Sequence, residues 1–120
     1  MSPMIRTLLL TLALTVAAWA VDLTATWDAA VESSLGSGSP TFVFKQQGEK
    51  LTGDYSGALG SAKLAGTVKG EAVDFSFKVD ANGESIEVRY QGKVSGDGKK
   101  MEGTVNFGAL GEGKFTATRR

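Results

Sequence analysis

Between Val73 and Val94 apolar and polar side chains alternate in two runs around an Asn82-Gly83 dipeptide, V-D-F-S-F-K-V-D-A-N-G-E-S-I-E-V-R-Y-Q-G-K-V. Asn-Gly between alternating runs signals a two-residue hairpin, because a type I′ turn needs positive φ at both central positions. With that turn, Val79 faces Ile86, Phe77 faces Val88 and Phe75 faces Tyr90, while Lys78 faces Glu87 and Ser76 faces Arg89. One turn therefore sorts the apolar residues to one face and the charges to the other.

The same reading extends along the chain. Leu23–Ala29 alternates Leu23, Ala25 and Trp27 against Thr24, Thr26 and Asp28, a first strand. Glu32–Pro40 (E-S-S-L-G-S-G-S-P) reads as a flexible loop. In Thr41–Gln47, Phe42 and Phe44 share a face, and a Gly48-Glu49 turn with Gly first, as type II′ requires, sets Phe44 against Gly53 and Phe42 against Tyr55. Gly57–Ser61 reads as a second open loop. Gly70-Glu71 repeats the Gly-first turn and opposes Val68 to Val73 and Gly66 to Phe75. Asp97-Gly98, read as a two-residue turn, pairs Val94 with Met101, Lys93 with Glu102 and Gly92 with Gly103. A loop at Gly108–Glu112 leads to a last strand, Lys114–Thr118. A one-residue slip at any turn would expose the apolar set, so the agreement among turns specifies the register. The pattern predicts an all-β domain, a single eight-stranded antiparallel up-and-down barrel, with a two-sheet meander sandwich as the alternative. The inward glycines Gly53, Gly66, Gly92 and Gly103 are expected to let a narrow sheet bend around aromatic rings. An internal echo, Gly-Ala-Leu-Gly in both Leu51–Thr67 and Met101–Thr118, suggests duplicated hairpins.

Upstream of the strands, residues 1–20 carry a basic start, an uncharged Leu/Ala/Val-rich run and Ala18-Trp19-Ala20. This is the pattern of a secretory signal peptide cleaved after Ala20, leaving residues 21–120 as the barrel domain; a retained anchor is the alternative. An exported chain with no cysteine points to a periplasmic or extracellular, bacterial setting, with the fold held by its core alone.

Charge narrows the partners. Lys and Arg number 13 and Asp and Glu 13, without long like-charge runs, which disfavours nucleic acid and anionic membrane. The polar outward face also differs from that of a membrane-spanning barrel, so no membrane association is expected once the leader is removed. Chemistry is narrowed further by the absence of histidine and cysteine, which removes the commonest general base and the usual Ser-His and Cys-His arrangements. Asp54, Asp74, Glu87 and Glu102 all fall outward, three of them near a Lys or Arg partner (Glu87 facing Lys78, Glu102 facing Lys93, Asp74 diagonal to Arg89), and solvated cross-strand pairs explain them better than paired-carboxylate catalysis. The Asp80–Glu84 stretch is too short for a calcium loop. The expectation is a non-enzymatic protein without cofactor or metal.

The ends of the barrel differ. The Gly48-Glu49, Gly70-Glu71 and Asp97-Gly98 turns share one end with the chain termini and are short and polar. The opposite end gathers the longer connections and three leucines, Leu35, Leu59 and Leu110, and is the candidate binding end. Trp27, Phe42, Tyr55, Phe75, Phe77, Tyr90, Phe107 and Phe115 share the inward parity. Trp27, Leu35, Tyr55, Leu59, Tyr90 and Leu110 are therefore the candidate ligand-binding residues, the tyrosines supplying hydroxyls. The partner is a small apolar or amphipathic molecule or, if the core is filled and the leucines stay exposed, another protein.

The phrases K-L-T-G-D-Y-S-G at 50–57, L-A-G-T-V-K-G-E-A-V-D-F-S-F at 64–77 and M-E-G-T-V-N-F-G at 101–108 resemble an uncharacterised family of small secreted bacterial β domains. The strand plan is similar to that of the calycin-like barrels, the avidins, lipocalins and small periplasmic protease inhibitors. The resemblance implies a secreted β-barrel and brings no site residues with it.

Overall fold

The computed structural model describes residues 21–81 and 83–120. Residues 1–20, where the sequence pattern places a signal peptide, and Asn82, of the expected Asn82-Gly83 turn, lie outside the described residues. Nine strands follow one another: β1 (Ala25–Ser33), β2 (Gly36–Gly38), β3 (Thr41–Gln47), β4 (Lys50–Gly57), β5 (Gly60–Lys69), β6 (Ala72–Ala81), β7 (Glu84–Val94), β8 (Lys100–Asn106) and β9 (Glu112–Arg119), with a 3₁₀ turn at Gly108–Leu110 before the last. Consecutive strands pair antiparallel from β3 to β9, and β1 bonds to both β3 and β9. The sheet thus closes into an eight-stranded up-and-down barrel, with β2 as a short extra strand beside β1. The sandwich alternative is excluded by the β1–β9 ladder, which runs from Trp27↔Arg119 to Ser33↔Gly113.

The register agrees with the alternation. Phe75↔Tyr90, Phe77↔Val88 and Val79↔Ile86 face across β6 and β7. Phe42↔Tyr55 and Phe44↔Gly53 face across β3 and β4, Gly66↔Phe75 across β5 and β6, and Gly92↔Gly103 across β7 and β8. Gly48 and Gly70 both open their turns at φ +61°, as Gly-first turns need. Gly83 has φ +84° between the paired Ala81 and Glu84.

Three connections depart from expectation. Glu32–Pro40 is not a loop. β1 runs on to Ser33, turns through Ser34-Leu35 and returns as β2, with Val31↔Gly38 and Ser33↔Gly36. The Ala29 N–H donates to the Pro40 carbonyl at 2.9 Å, so β2 continues the β1–β3 register through Pro40 as one long hairpin. Gly57–Ser61 is likewise a tight turn, Ala58-Leu59 between the paired Gly57 and Gly60. The Asp97-Gly98 hairpin keeps its register but closes differently. Ser95 N–H donates to the Lys100 carbonyl and Gly98 N–H to the Ser95 carbonyl, so the bend centres on Gly96-Asp97. Asp97 Oδ1 accepts from Ser95 Oγ at 2.6 Å and from Lys99 N–H at 3.0 Å, an Asx arrangement that outcompetes the two-residue turn.

Inside, the core is aromatic. Phe42 packs edge-on to Phe75 and to Tyr90, with centroids 5.1 Å apart in each case, and Phe75 stacks on Tyr90 at 5.0 Å. Tyr55 stacks on Phe77 at 4.1 Å, and Phe115 meets Tyr90 edge-on at 4.9 Å. Apart from the tyrosine hydroxyls and the Trp27 indole N–H, no polar or charged side chain is buried among the described residues. The glycines make the curvature. A β-carbon on Gly66 would overlap the Asp74 carbonyl and the Phe75 backbone, and one on Gly103 would overlap the Gln91 carbonyl. The neighbouring strand occupies the space a side chain needs, as at the tight corners of a small barrel.

On the outer face Arg89 grips Asp74 bidentately, Nε to Oδ1 at 3.0 Å and Nη2 to Oδ2 at 2.6 Å, the diagonal pair the alternation anticipates. Lys78 and Glu87, and Lys93 and Glu102, face one another in register. These two register pairs do not form ion pairs, whereas Lys63 and Asp54 do. The Arg89 hydrogen bond holds the Asp74 carboxyl below its ordinary value of 3.8. The Ser95 hydroxyl and Lys99 amide do the same for Asp97, and the Thr24 amide and hydroxyl for Asp22. A carboxyl whose folded value is depressed contributes stability above its unfolded value, and that contribution disappears as pH falls through the folded value. Urea midpoints are therefore expected to hold steady down to about pH 4 and to fall below it. The Asp74→Asn variant should show a shallower acid decline, by a modest amount because the pair is exposed. An acid decline identical to wild type would remove Asp74 from that account.

Candidate functional site

The two ends of the barrel are built differently. At the polar-turn end the segment before β1 folds in as a plug. Leu23 is fully buried, its N–H donates to Gln46 Oε1 at 2.8 Å, and Gln46 Nε2 donates to the Val21 carbonyl at 2.7 Å. Arg119 Nη1 and Nη2 donate to the carbonyls of Asp22 and Thr24, at 2.8 and 3.2 Å. Trp27 Nε1 donates to the Leu23 carbonyl at 3.0 Å and completes the seal. That end is shut.

The opposite end holds a small cleft of about 120 Å³. Its rim is Leu35, Ser37, Gly38 and Ser39 from the β1–β2 hairpin and Ala58-Leu59 from the β4–β5 turn, and Tyr55, Tyr90 and Phe107 rise from the barrel below. None of the residues around it is charged. Small-molecule pockets usually measure about 300–1,000 Å³, so this cleft suits one side chain better than a whole ligand.

Four of the six expected site residues meet here: Leu35, Tyr55, Leu59 and Tyr90. Leu35 is 53% exposed and Leu59 39%, so these leucines stand open at the rim instead of plugging the barrel. The other two lie elsewhere. Trp27 is wholly buried on the plugged side, paired across β1–β3 with Phe42. Leu110, 48% exposed, borders a separate groove between the 3₁₀ turn and the outer half of β7, with Ser85, Glu87 and Phe107. The two Gly-Ala-Leu-Gly copies explain the divergence. The first fits between paired glycines, whereas the second sits inside the longer Phe107–Gly111 connection, closed by Phe107 N–H to the Gly111 carbonyl.

The tyrosines act as struts more than as displayed polar groups. Leu59 N–H donates to Tyr55 Oη at 3.4 Å, which ties the Ala58-Leu59 turn to the core. Burial pushes the Tyr55 phenol up, partly offset by that amide, and burial pushes Tyr90 up further. Both phenols stay protonated across the physiological range, where they can donate hydrogen bonds but not act as bases. Pro40 and Phe107, which also shape the cleft, carry no signal in the alternation beyond the inward parity of Phe107. Among the described residues no group of three or more His, Cys, Asp or Glu side chains is placed to hold a metal ion, and no helix is long and apolar enough to cross a membrane. No protein-family model matches the chain, and no curated protein matches it.

Proposed function

We propose that this chain is a non-enzymatic interaction module, acting after export, whose open end holds a partner protein by an apolar side chain seated between Leu35 and Leu59. The observation that carries this reading is the pairing of a filled aromatic interior with two exposed leucines around a cleft of about 120 Å³. A small-ligand barrel needs the space inside, and here the rings of Phe42, Phe75, Phe77 and Tyr90 occupy it. The calycin-like strand plan supports a binding role by analogy alone, since such barrels present loops on a rigid frame.

The test uses a phage-displayed peptide library selected on the immobilised domain, with affinities of the synthetic winners measured by calorimetry. Selected peptides should share one apolar anchor. Leu35→Asp and Leu59→Asp should each weaken binding by about 2 kcal/mol, roughly 30-fold, as residues at the centre of a patch do. Val43→Asp, on exposed β3 away from the cleft, should leave it unchanged. Native mass spectrometry of the purified protein checks the competing reading, for a stoichiometric lipid-sized adduct would favour the small-ligand barrel instead.

A further inference from the structure

One stretch of backbone at the rim of this cleft lacks ladder partners. In an antiparallel pair, alternate residues direct their N–H and C=O groups to opposite neighbours. Ala29 N–H bonds the Pro40 carbonyl, and Val31↔Gly38 and Ser33↔Gly36 continue that register. Gly36, Gly38 and Pro40 therefore face β1, and Ser37 and Ser39 face the other way. On that side the ladder with β4 ends at Thr41↔Ser56, because β4 turns back at Ala58-Leu59. β2 closes the strand order with a neighbour on one side only. The amides and carbonyls of Ser37 and Ser39 thus have no protein partner among the described residues.

Exposed edges are usually guarded by charge, proline or a bulge, since they template pairing with other chains. Another edge opened at this end is guarded in that way. The β5–β6 ladder stops at Ala65↔Ser76, and the next edge positions on the two strands carry Lys63 and Lys78, with Asp80 beyond. Gly36-Ser37-Gly38-Ser39 has no such guard, and it borders the uncharged cleft between Leu35 and Leu59. Donors and acceptors alternating at the two-residue spacing of a strand are matched by an extended peptide backbone, and a charged side chain would lose its water here without finding a partner.

We infer that the free edge of β2 receives an extended, uncharged segment of the partner as an added strand. Main-chain bonds form to Ser37 and Ser39, and one apolar side chain enters the cleft. This inference rests on the interaction reading above and names how the partner is held.

The test takes the strongest library peptide and a set of its N-methylated forms, each lacking one backbone donor. Methylation at alternate positions should weaken binding at least tenfold, and methylation at the positions between should not. The Ser37→Pro variant, which removes an edge amide that β1 does not use, should also lose at least tenfold. In the wild-type protein, hydrogen exchange at Ser37 and Ser39 should slow when the peptide saturates. Binding that depends on Leu35 and Leu59 but ignores every N-methylation would overturn strand addition and leave the interaction reading standing. Should no selected peptide depend on either leucine, both fall together. If sedimentation velocity without peptide shows a dimer that Ser37→Pro dissolves, the edge is occupied by a second copy and the peptide proposal is overturned.

Discussion

Trp27→Ala is expected to remove about 3–5 kcal/mol of stability, the range for truncating a large buried aromatic. Trp27 has no exposed surface, meets Phe44 with centroids 6.2 Å apart, and sits where β1 is bonded on both sides, to Phe42 of β3 and Arg119 of β9. Its indole also holds the plug through the Leu23 carbonyl. Truncation therefore opens a cavity, loosens Leu23 and weakens the seam that closes the ring. Domains of this size have about 5–15 kcal/mol in total, so the variant should stand near the limit of folding at 37 °C. Trp27→Phe separates the contributions, for it restores most of the volume while leaving the Leu23 carbonyl without its donor; a loss of roughly 1–2 kcal/mol is expected. Urea denaturation followed by circular dichroism measures both. A wild-type midpoint in the alanine variant would contradict the burial of this side chain.

The second large effect comes from adding one carbon. Gly66→Ala is expected to cost about 3 kcal/mol, the upper part of the range for overpacking, and to lower the melting temperature by roughly 10–20 °C. The new methyl would meet the backbone of β6 at Asp74 and Phe75, and backbone cannot step aside as a flexible side chain can. Relief would require β5 to move away from β6, and with it the Phe75 ring that packs on Phe42, Phe44 and Tyr90. Gly38→Ala is the control, since a methyl there meets no atom within 4 Å. Calorimetric melting of the two variants decides the point. Equal melting temperatures would mean that Gly66 is a filler and not a corner.

The alternation of side chains was enough to read the strand pairing, because each hairpin with a Gly-first or Asn-Gly turn admits one register that buries Phe42, Phe75, Phe77, Val88 and Tyr90 together. The Glu32–Pro40 hairpin was not legible for a reason of the same kind. Its turn is Ser34-Leu35, and the residue with positive φ, Gly36 at +112°, falls just after the turn and gives no dipeptide signal. Ala58-Leu59 hides in the same way between Gly57 and Gly60. The Gln46 strap at the plugged end involves a side chain of ordinary strand polarity, whose partners in the segment before β1, Leu23 and Val21, precede it by 23 and 25 positions in sequence. Of the site, Leu35, Leu59, Tyr55 and Tyr90 followed from parity and from which turns share an end. Trp27 and Leu110 did not, because parity says which residues point inward but not how deep along the barrel axis each one lies.

Closure of the ring by β1 and β9 also governs how the domain comes apart. β9 bonds to β8 on one side and to β1 on the other, so a chain interrupted before Glu112 would leave two long strands seeking new neighbours and bare the inner faces of Trp27, Val31 and Met101. No half of the ring encloses a core of its own. The domain is therefore expected to unfold as one cooperative unit, and changes at its rim should cost far less stability than any shortening of its hoop.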